Sequence, residues 1–486
     1  MRAYNIQHIT LEDKIPDSIL NHVKKKNRTL TNLVRSQCPC KLKNVASLEL
    51  VELKSKQFNQ LSQQSITGES VRLSYTSLFK GDLSEEKFNK KILIVGEAGT
   101  GKSVLCAQVT EEWTNGALFQ EFQMIILLSL NQRSIASATN LPELLHNSYE
   151  FDSKSCSTVE MYLSHKNILI IADGWDQLCE SDSRGSFLHG LLFGDLLPSS
   201  SLTVVVTTTP SLVPHQFKGR FITLQGFTEQ TAKSFIEMEL STNPEKISYI
   251  TEQLETNPLL RSMCSVPLNL AMICNFCQSH DDPLPGTMPE LYKKLAWSLA
   301  QSKINTMTGR ALRLSNHQDL PQNLQQSWFQ LCQLAFEKCQ VENAQIIAFP
   351  SDIETFGLLK SVSVGSSEVM FSFLYPVFKY YLAASYIVIK PQSVQLEIIK
   401  SMHNISSLFC RLYLNMNTNS SPNIISEIIQ KLSELHHSFK DMCLISYESK
   451  NDVVDEAIMK LLQASESAVM LHSHNAYECE AVIHVM

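Results

Sequence analysis

KKILIVGEAGTGKSVLCAQVTEEW, residues 90–113, decides how the rest of the chain is read. Ile92 to Val95 is a short apolar run suited to a strand buried on both faces of a parallel sheet. Gly96, Glu97, Ala98, Gly99, Thr100, Gly101, Lys102 and Ser103 then follow the G-x-x-x-x-G-K-[ST] order of a phosphate-binding loop. Gly99 and Gly101 let the backbone curl without a Cβ clash, so that successive N–H groups point at phosphate oxygens. Lys102 is placed to reach the outer phosphates as a point charge, and Ser103 to offer a hydroxyl to Mg²⁺. Val104 continues into a helix running to about Trp113, whose positive end lies under the same phosphates. The alternative is an ordinary strand–turn–helix with coincidental glycines.

The chain has 486 residues, too many for one core of usual size, which predicts three or four subdomains. Hydrophobic residues at 44% against 18% charged mark a folded chain rather than a disordered one. A net charge of -7 argues against a nucleic-acid surface, and Lys24-Lys25-Lys26 reads as a solvated helix face. No apolar run is long enough for a membrane span, and the N-terminus lacks the apolar core of a secretory signal. Thirteen scattered cysteines without a framework fit reduced thiols in the cytoplasm. Cys274 and Cys277 form a C-x-x-C and Cys38 and Cys40 a C-x-C, but neither has a second pair at zinc-like spacing.

Residues 1–80 read as a mainly helical region of unrecognised role, with Asp17-Ser18-Ile19-Leu20 a helix start. From there the pattern becomes apolar strands alternating with helices, as in a parallel α/β sheet. Met124–Leu130, Asn167–Ala172, Leu202–Thr207 and Phe221–Leu224 follow the loop strand, with helices near 141–148, 157–165 and 185–196. The strand at 167–172 runs into Asp173-Gly174-Trp175-Asp176-Gln177. Acids at the carboxyl end of a buried strand are placed to hold Mg²⁺ or its waters, which assigns Asp173 to the metal and Asp176 to the attacking water. The alternative is an aspartate that only caps the next turn.

Four stretches now carry a resemblance. GEAGTGKS with Trp113 after it, ILIIADGWDQL, VVVTTTPSLVP and LQGFTEQTAKSFI resemble NACHT domains of the NOD-like receptor type, a branch of the STAND P-loop NTPases. The resemblance continues through LLRSMCSVPLNLAMICNF (259–276), LPGTMPELYKKLAWSLA (284–300), FLYPVFKYYLAASYI (373–387) and LISYESKNDVVDEAI (444–458), in family order over roughly residues 75–460. It implies a nucleotide-binding α/β domain at 81–226, helical domain 1 at 227–283, a winged-helix domain at 284–390 and helical domain 2 at 391–465. Residues 466–486, whose His472, His474, Cys479 and His484 lack regular metal spacing, are left as a frayed tail. It also implies ATP or ADP with Mg²⁺ as ligands, Pro267 against the adenine, and Tyr375 at the position that reaches the β-phosphate. Self-association and adaptor or effector proteins are the implied partners. No leucine-rich pattern follows in the last 90 residues.

Three positions depart from the family pattern. Gln177 stands where a glutamate is usual and can orient water but not take its proton. Thr209 replaces the arginine of T-[ST]-R-P, and a neutral hydroxyl cannot sense γ-phosphate charge at a distance. Tyr375 replaces a histidine. These departures leave the binding residues intact and predict slow or absent hydrolysis. Three readings stay open: a nucleotide-controlled signalling switch, a pseudo-receptor that keeps nucleotide as a fold ligand, and a P-loop kinase or other ATPase. The last is weakened because only Arg220 is available soon after the fourth strand.

Overall fold

Five adjacent parallel strands make up most of a seven-stranded mixed sheet. They are β3 (Lys91–Val95), β4 (Met124–Ser129), β5 (Ile168–Asp173), β6 (Leu202–Thr208) and β7 (Arg220–Leu224). The computed structural model describes residues 14–36, 49–53, 70–79, 90–130, 132–163, 165–177, 186–193, 201–210, 213, 217–309, 311–340, 351–364, 368–373, 375–402, 405–434, 439–464 and 476–485. The chain divides into two compact units between Gly226 and Phe227.

Two short strands, β1 (Leu50–Leu53) and β2 (Ser70–Leu73), complete the sheet of the first unit, whose strand order is β2-β1-β7-β3-β6-β5-β4. The loop strand β3 is therefore flanked by β7 and β6, and β6 separates it from β5. Ile92, Leu93, Ile94 and Val95 are each at most 2% exposed, because the sheet is covered on both faces. Complete burial of such side chains contributes roughly 1.5–3 kcal/mol each. Helices Leu141–Tyr149, Ser153–Leu163 and Phe187–Phe193 occupy the crossovers, close to where periodicity put them.

The N-terminal region, expected to be mainly helical, also contributes strands. Asp17 does start a helix, α1 (Asp17–Ser36), but β1 and β2 follow it. β1 pairs antiparallel with β7 and with β2, so residues before the loop widen the sheet. α1 packs on β4 and on the loop helix α2 (Lys102–Thr114). Its lysines are only partly a solvated face. Lys24 Nζ lies 5.4 Å from the Trp113 ring centre and Lys26 pairs with Glu150 at 2.7 Å, while Lys25 is exposed.

The second unit is helical, with one antiparallel hairpin, β8 (Leu359–Val364) and β9 (Glu368–Phe373), following the helices Met288–Thr308 and Gln322–Gln340. Its core includes stacked Trp297 and Trp328, ring centres 4.3 Å apart, with Trp297 Nε1 donating to Tyr381 Oη at 2.9 Å. The expected frayed tail is corrected: Ala476–Val485 is a helix packed on Phe439–Ser449, and Tyr477 donates to buried Glu448. Among the described residues no single helix is long and apolar enough to cross a membrane, although the bent pair Pro258–Cys264 and Pro267–Ser279 reaches that composition together.

Candidate functional site

The loop after β3 is shaped by what its residues lack. Gly99 and Gly101 adopt φ of 84° and 102°, a region that L side chains rarely enter. Gly96 is fixed by space rather than torsion, since a Cβ there would lie 2.7 Å from Thr100 Oγ1 and 3.0 Å from the Leu224 carbonyl. Thr100 closes the turn, its hydroxyl donating to the Glu97 carbonyl at 2.8 Å. The first bond of α2 runs from Leu105 N to Gly101 O at 2.8 Å. The N–H groups of Lys102, Ser103 and Val104 therefore have no acceptor inside the helix and carry its positive end. This is the arrangement that takes a phosphate.

Lys102 Nζ donates to the carbonyls of Gly96 and Glu97 at 2.6 and 3.0 Å, which draws the lysine over its own loop. Burial lowers its pKa, against the pull of Asp176, Asp173 and Glu97. Both aspartates thus lie within electrostatic reach of the loop lysine, although more than seventy residues separate them from it in sequence.

Asp173 ends β5, and Gly174, at φ 94°, turns the chain into the 3₁₀ turn Trp175–Gln177 that carries Asp176. Asp176 Oδ1 is buried without a hydrogen-bond partner. Burial raises its pKa, Lys102 opposes the rise and Asp173 adds to it. A buried carboxylate oxygen facing a lysine and a second acid fits a divalent cation or its water shell, because hard oxygen donors suit Mg²⁺. Ser103 follows Lys102 in the first turn of α2 and is half-buried. The side chain of Gln177 lies outside the described residues.

Two residues at the site escaped sequence reasoning. Thr207 of β6 is fully buried, donates through Oγ1 to Asp173 Oδ1 at 2.6 Å and accepts from Gly174 N at 2.8 Å. Cys106 of α2 brings its Sγ to 4.0 Å from the same Asp173 oxygen, and burial pushes its thiol pKa well up. The TTTP run was a signal for Thr207, but which acid it meets depends on strand order.

Pro267 and Tyr375 belong to the second unit. Pro267 is the buried first residue of the helix Pro267–Ser279, where a missing N–H costs nothing. Tyr375 precedes the helix Pro376–Val388, is 2% exposed, and meets Phe378 edge-on at 5.3 Å. Thr209 is half-buried just past β6. Arg220 is engaged elsewhere: it forks onto Glu52 at 2.6 and 3.0 Å and donates to the Leu78 carbonyl at 3.1 Å. Cys274 and Cys277 are buried and free, and no cluster of three or more metal-ligating side chains exists among the described residues. Cys38, Cys40, His472 and His474 lie outside the described residues.

Residues 90–243 match the NACHT domain family. Human NACHT, LRR and PYD domains-containing protein 13 is 26% identical over 208 residues, 38% of this chain and 20% of that protein. Human Protein NLRC5 is 28% identical over 242 residues, 45% of this chain and 13% of that protein. The chain thus matches a quarter or less of the length of these relatives. Among solved structures, a STAND protein with a tetratricopeptide repeat sensor from Pyrococcus horikoshii is 14% identical, covers 83% of this chain and 60% of its own, and has a TM-score of 0.27.

Proposed function

For a chain that carries a NACHT domain of the NOD-like receptor type, we propose an ATP/ADP-binding signalling switch in which nucleotide exchange controls oligomerisation. One observation carries the reading: the glycine loop, Lys102 and two acids from a different strand converge, and one acid oxygen is buried without a partner. In this reading the N–H groups of residues 96–104 cradle the phosphates, Lys102 leaves its carbonyl partners for the β/γ-phosphates, and Ser103 and Asp173 hold Mg²⁺. When bound there, Mg²⁺ would supply positive charge that offsets the charge of the phosphates. Asp176 orients water. Pro267 lies against the adenine and Tyr375 contacts the β-phosphate. The second unit divides, in the same reading, into helical domain 1 (227–283), a winged-helix domain (284–390) and helical domain 2 (391–465). Cytoplasmic innate-immune-type signalling through adaptor or effector proteins belongs to the same reading.

Hydrolysis is slow or absent, because Thr209 supplies no charge and Gln177 no base. These same substitutions favour a second reading, a pseudo-receptor that keeps its nucleotide permanently. A kinase is disfavoured by the engagement of Arg220 with Glu52.

The deciding experiment releases nucleotide from denatured protein before and after incubation with excess ATP and Mg²⁺, with Lys102→Ala in parallel. Stoichiometric ADP that ATP replaces, and that Lys102→Ala lacks, supports the switch. ADP that never exchanges supports the pseudo-receptor. A protein without nucleotide and without thermal shift overturns both, since a ligand at 100 times its Kd stabilises by about 2.7 kcal/mol.

A further inference from the structure

We infer that Thr207 is the positioning residue that couples the phosphate loop to the metal-binding acid, and that its hydroxyl sets how nucleotide binding depends on Mg²⁺. The inference rests on the nucleotide reading above and names a residue that neither the loop motif nor the acid motif contains.

β6 lies between β3, which delivers the loop, and β5, which delivers Asp173. Its register places Thr207 opposite Ile94 of β3, and Val206 opposite Ala172 of β5, so Thr207 is level with Asp173. Thr208 then accepts, through its carbonyl, the N–H of Gly96 at 3.2 Å. Two successive residues of one strand thus touch both halves of the site: Thr208 holds the first residue of the loop, and Thr207 holds the acid.

A hydroxyl has one proton to donate and two lone pairs. Thr207 gives the proton to Asp173 Oδ1 and takes the Gly174 N–H, so its rotor is fixed from both sides. The bond to Asp173 orients the carboxylate plane and occupies one face of Oδ1, leaving Oδ2 as the oxygen for a cation. The bond from Gly174 N fixes the turn whose left-handed glycine swings Asp176 toward Lys102. At 0% exposure water cannot replace either bond. Cys106 Sγ is a weaker second contact to the same Oδ1 and does not substitute for a hydroxyl.

The test measures equilibrium binding of radiolabelled ATP in excess Mg²⁺ and in EDTA for wild type, Thr207→Val, Thr207→Ser and Asp173→Asn. Valine keeps the shape and the strand preference but removes donor and acceptor. The expected result is Thr207→Val weaker by roughly 10- to 100-fold in Mg²⁺, the span of a hydrogen bond to a charged group, and close to wild type in EDTA. Thr207→Ser retains the Mg²⁺ response, and Thr207→Val combined with Asp173→Asn loses no more than Asp173→Asn alone.

A Thr207→Val protein with wild-type Mg²⁺ response overturns the inference, as does one equally weakened in both media, which would mark a structural role. Should Thr207→Val not fold, Thr207→Ala and Thr207→Ser decide together: a Mg²⁺ response lost with alanine and kept with serine supports the inference, and any other pattern overturns it. A wild type that binds ATP in neither medium overturns the nucleotide reading itself, and this inference with it.

Discussion

Asp176 shows at the scale of one residue what the site costs the fold. Its buried Oδ1 has no partner, and burial holds its carboxyl above the ordinary range. Ionisation of such a group opposes folding. That penalty is absent below the ordinary carboxyl pKa, grows as pH climbs toward the raised value, and is complete above it. Asp176→Asn should therefore stabilise the nucleotide-free protein at neutral pH by on the order of 1 kcal/mol, with the gain vanishing in acid. For a unit of this size that is about 2–4 °C in Tm. The same variant should lose any residual ATP turnover. A melting temperature unchanged across pH would refute the assignment of strain to Asp176. The two acids and the loop were legible in the sequence because each motif needs its residues at fixed local spacing. Thr207 was not, since its partner is set by β6 lying between β3 and β5, a fact of topology that no local window contains.

At the scale of elements, α1 is the feature least visible beforehand. Its start at Asp17 was readable from the capping pattern, but its task was not. β4 ends the sheet, and an open strand edge exposes unpaired backbone groups. Here the edge is answered by side chains: Asn27 Nδ2 donates to the Ile125 carbonyl at 2.9 Å, Leu127 N donates to Tyr149 Oη at 2.7 Å, and Tyr149 Oη donates to Asn27 Oδ1 at 2.6 Å. Both residues are fully buried. Further along, Arg35 forks onto Glu111 of the loop helix at 3.2 and 2.8 Å. Asn27→Ala should destabilise by about 1–3 kcal/mol through the buried groups it leaves unsatisfied, read as a lower urea midpoint with an unchanged slope. Tyr149→Phe should behave alike, and the pair should lose less than the sum, because they share one network. Strict additivity would show that the two residues act separately. β1 and β2 went unread for a related reason: LVEL and SVRL are four residues each, too short to show periodicity beside longer polar stretches.

At the scale of the whole molecule, each unit must hold its own core, and the second does so around a buried charge pair. Arg411 forks onto Glu448 at 2.5 and 2.6 Å, with Glu448 fully buried and Tyr477 of the last helix donating to the same carboxylate. Tyr477, Ala481 and Val485 repeat at i, i+4 and i+8, which carries a helix signal; the scattered histidines and Cys479 around them drew the reading toward a tail instead. The ion pair itself was unreadable, because 37 residues separate its partners. Removing one charge from such a pair strands the other in a medium that cannot solvate it. Glu448→Gln should therefore cost about 3–5 kcal/mol, seen by calorimetry as a lower transition temperature. Replacing both, as Arg411→Met with Glu448→Leu, should recover most of that loss, since well-packed apolar groups avoid the desolvation penalty. Tyr477→Phe should matter in Glu448-containing protein and be nearly silent in the apolar pair, because its hydrogen bond has no acceptor there. Equal destabilisation by Tyr477→Phe in both backgrounds would show that the hydroxyl acts through the Met288 N–H, which it accepts at 3.4 Å, and that the carboxylate is not what ties the last helix down.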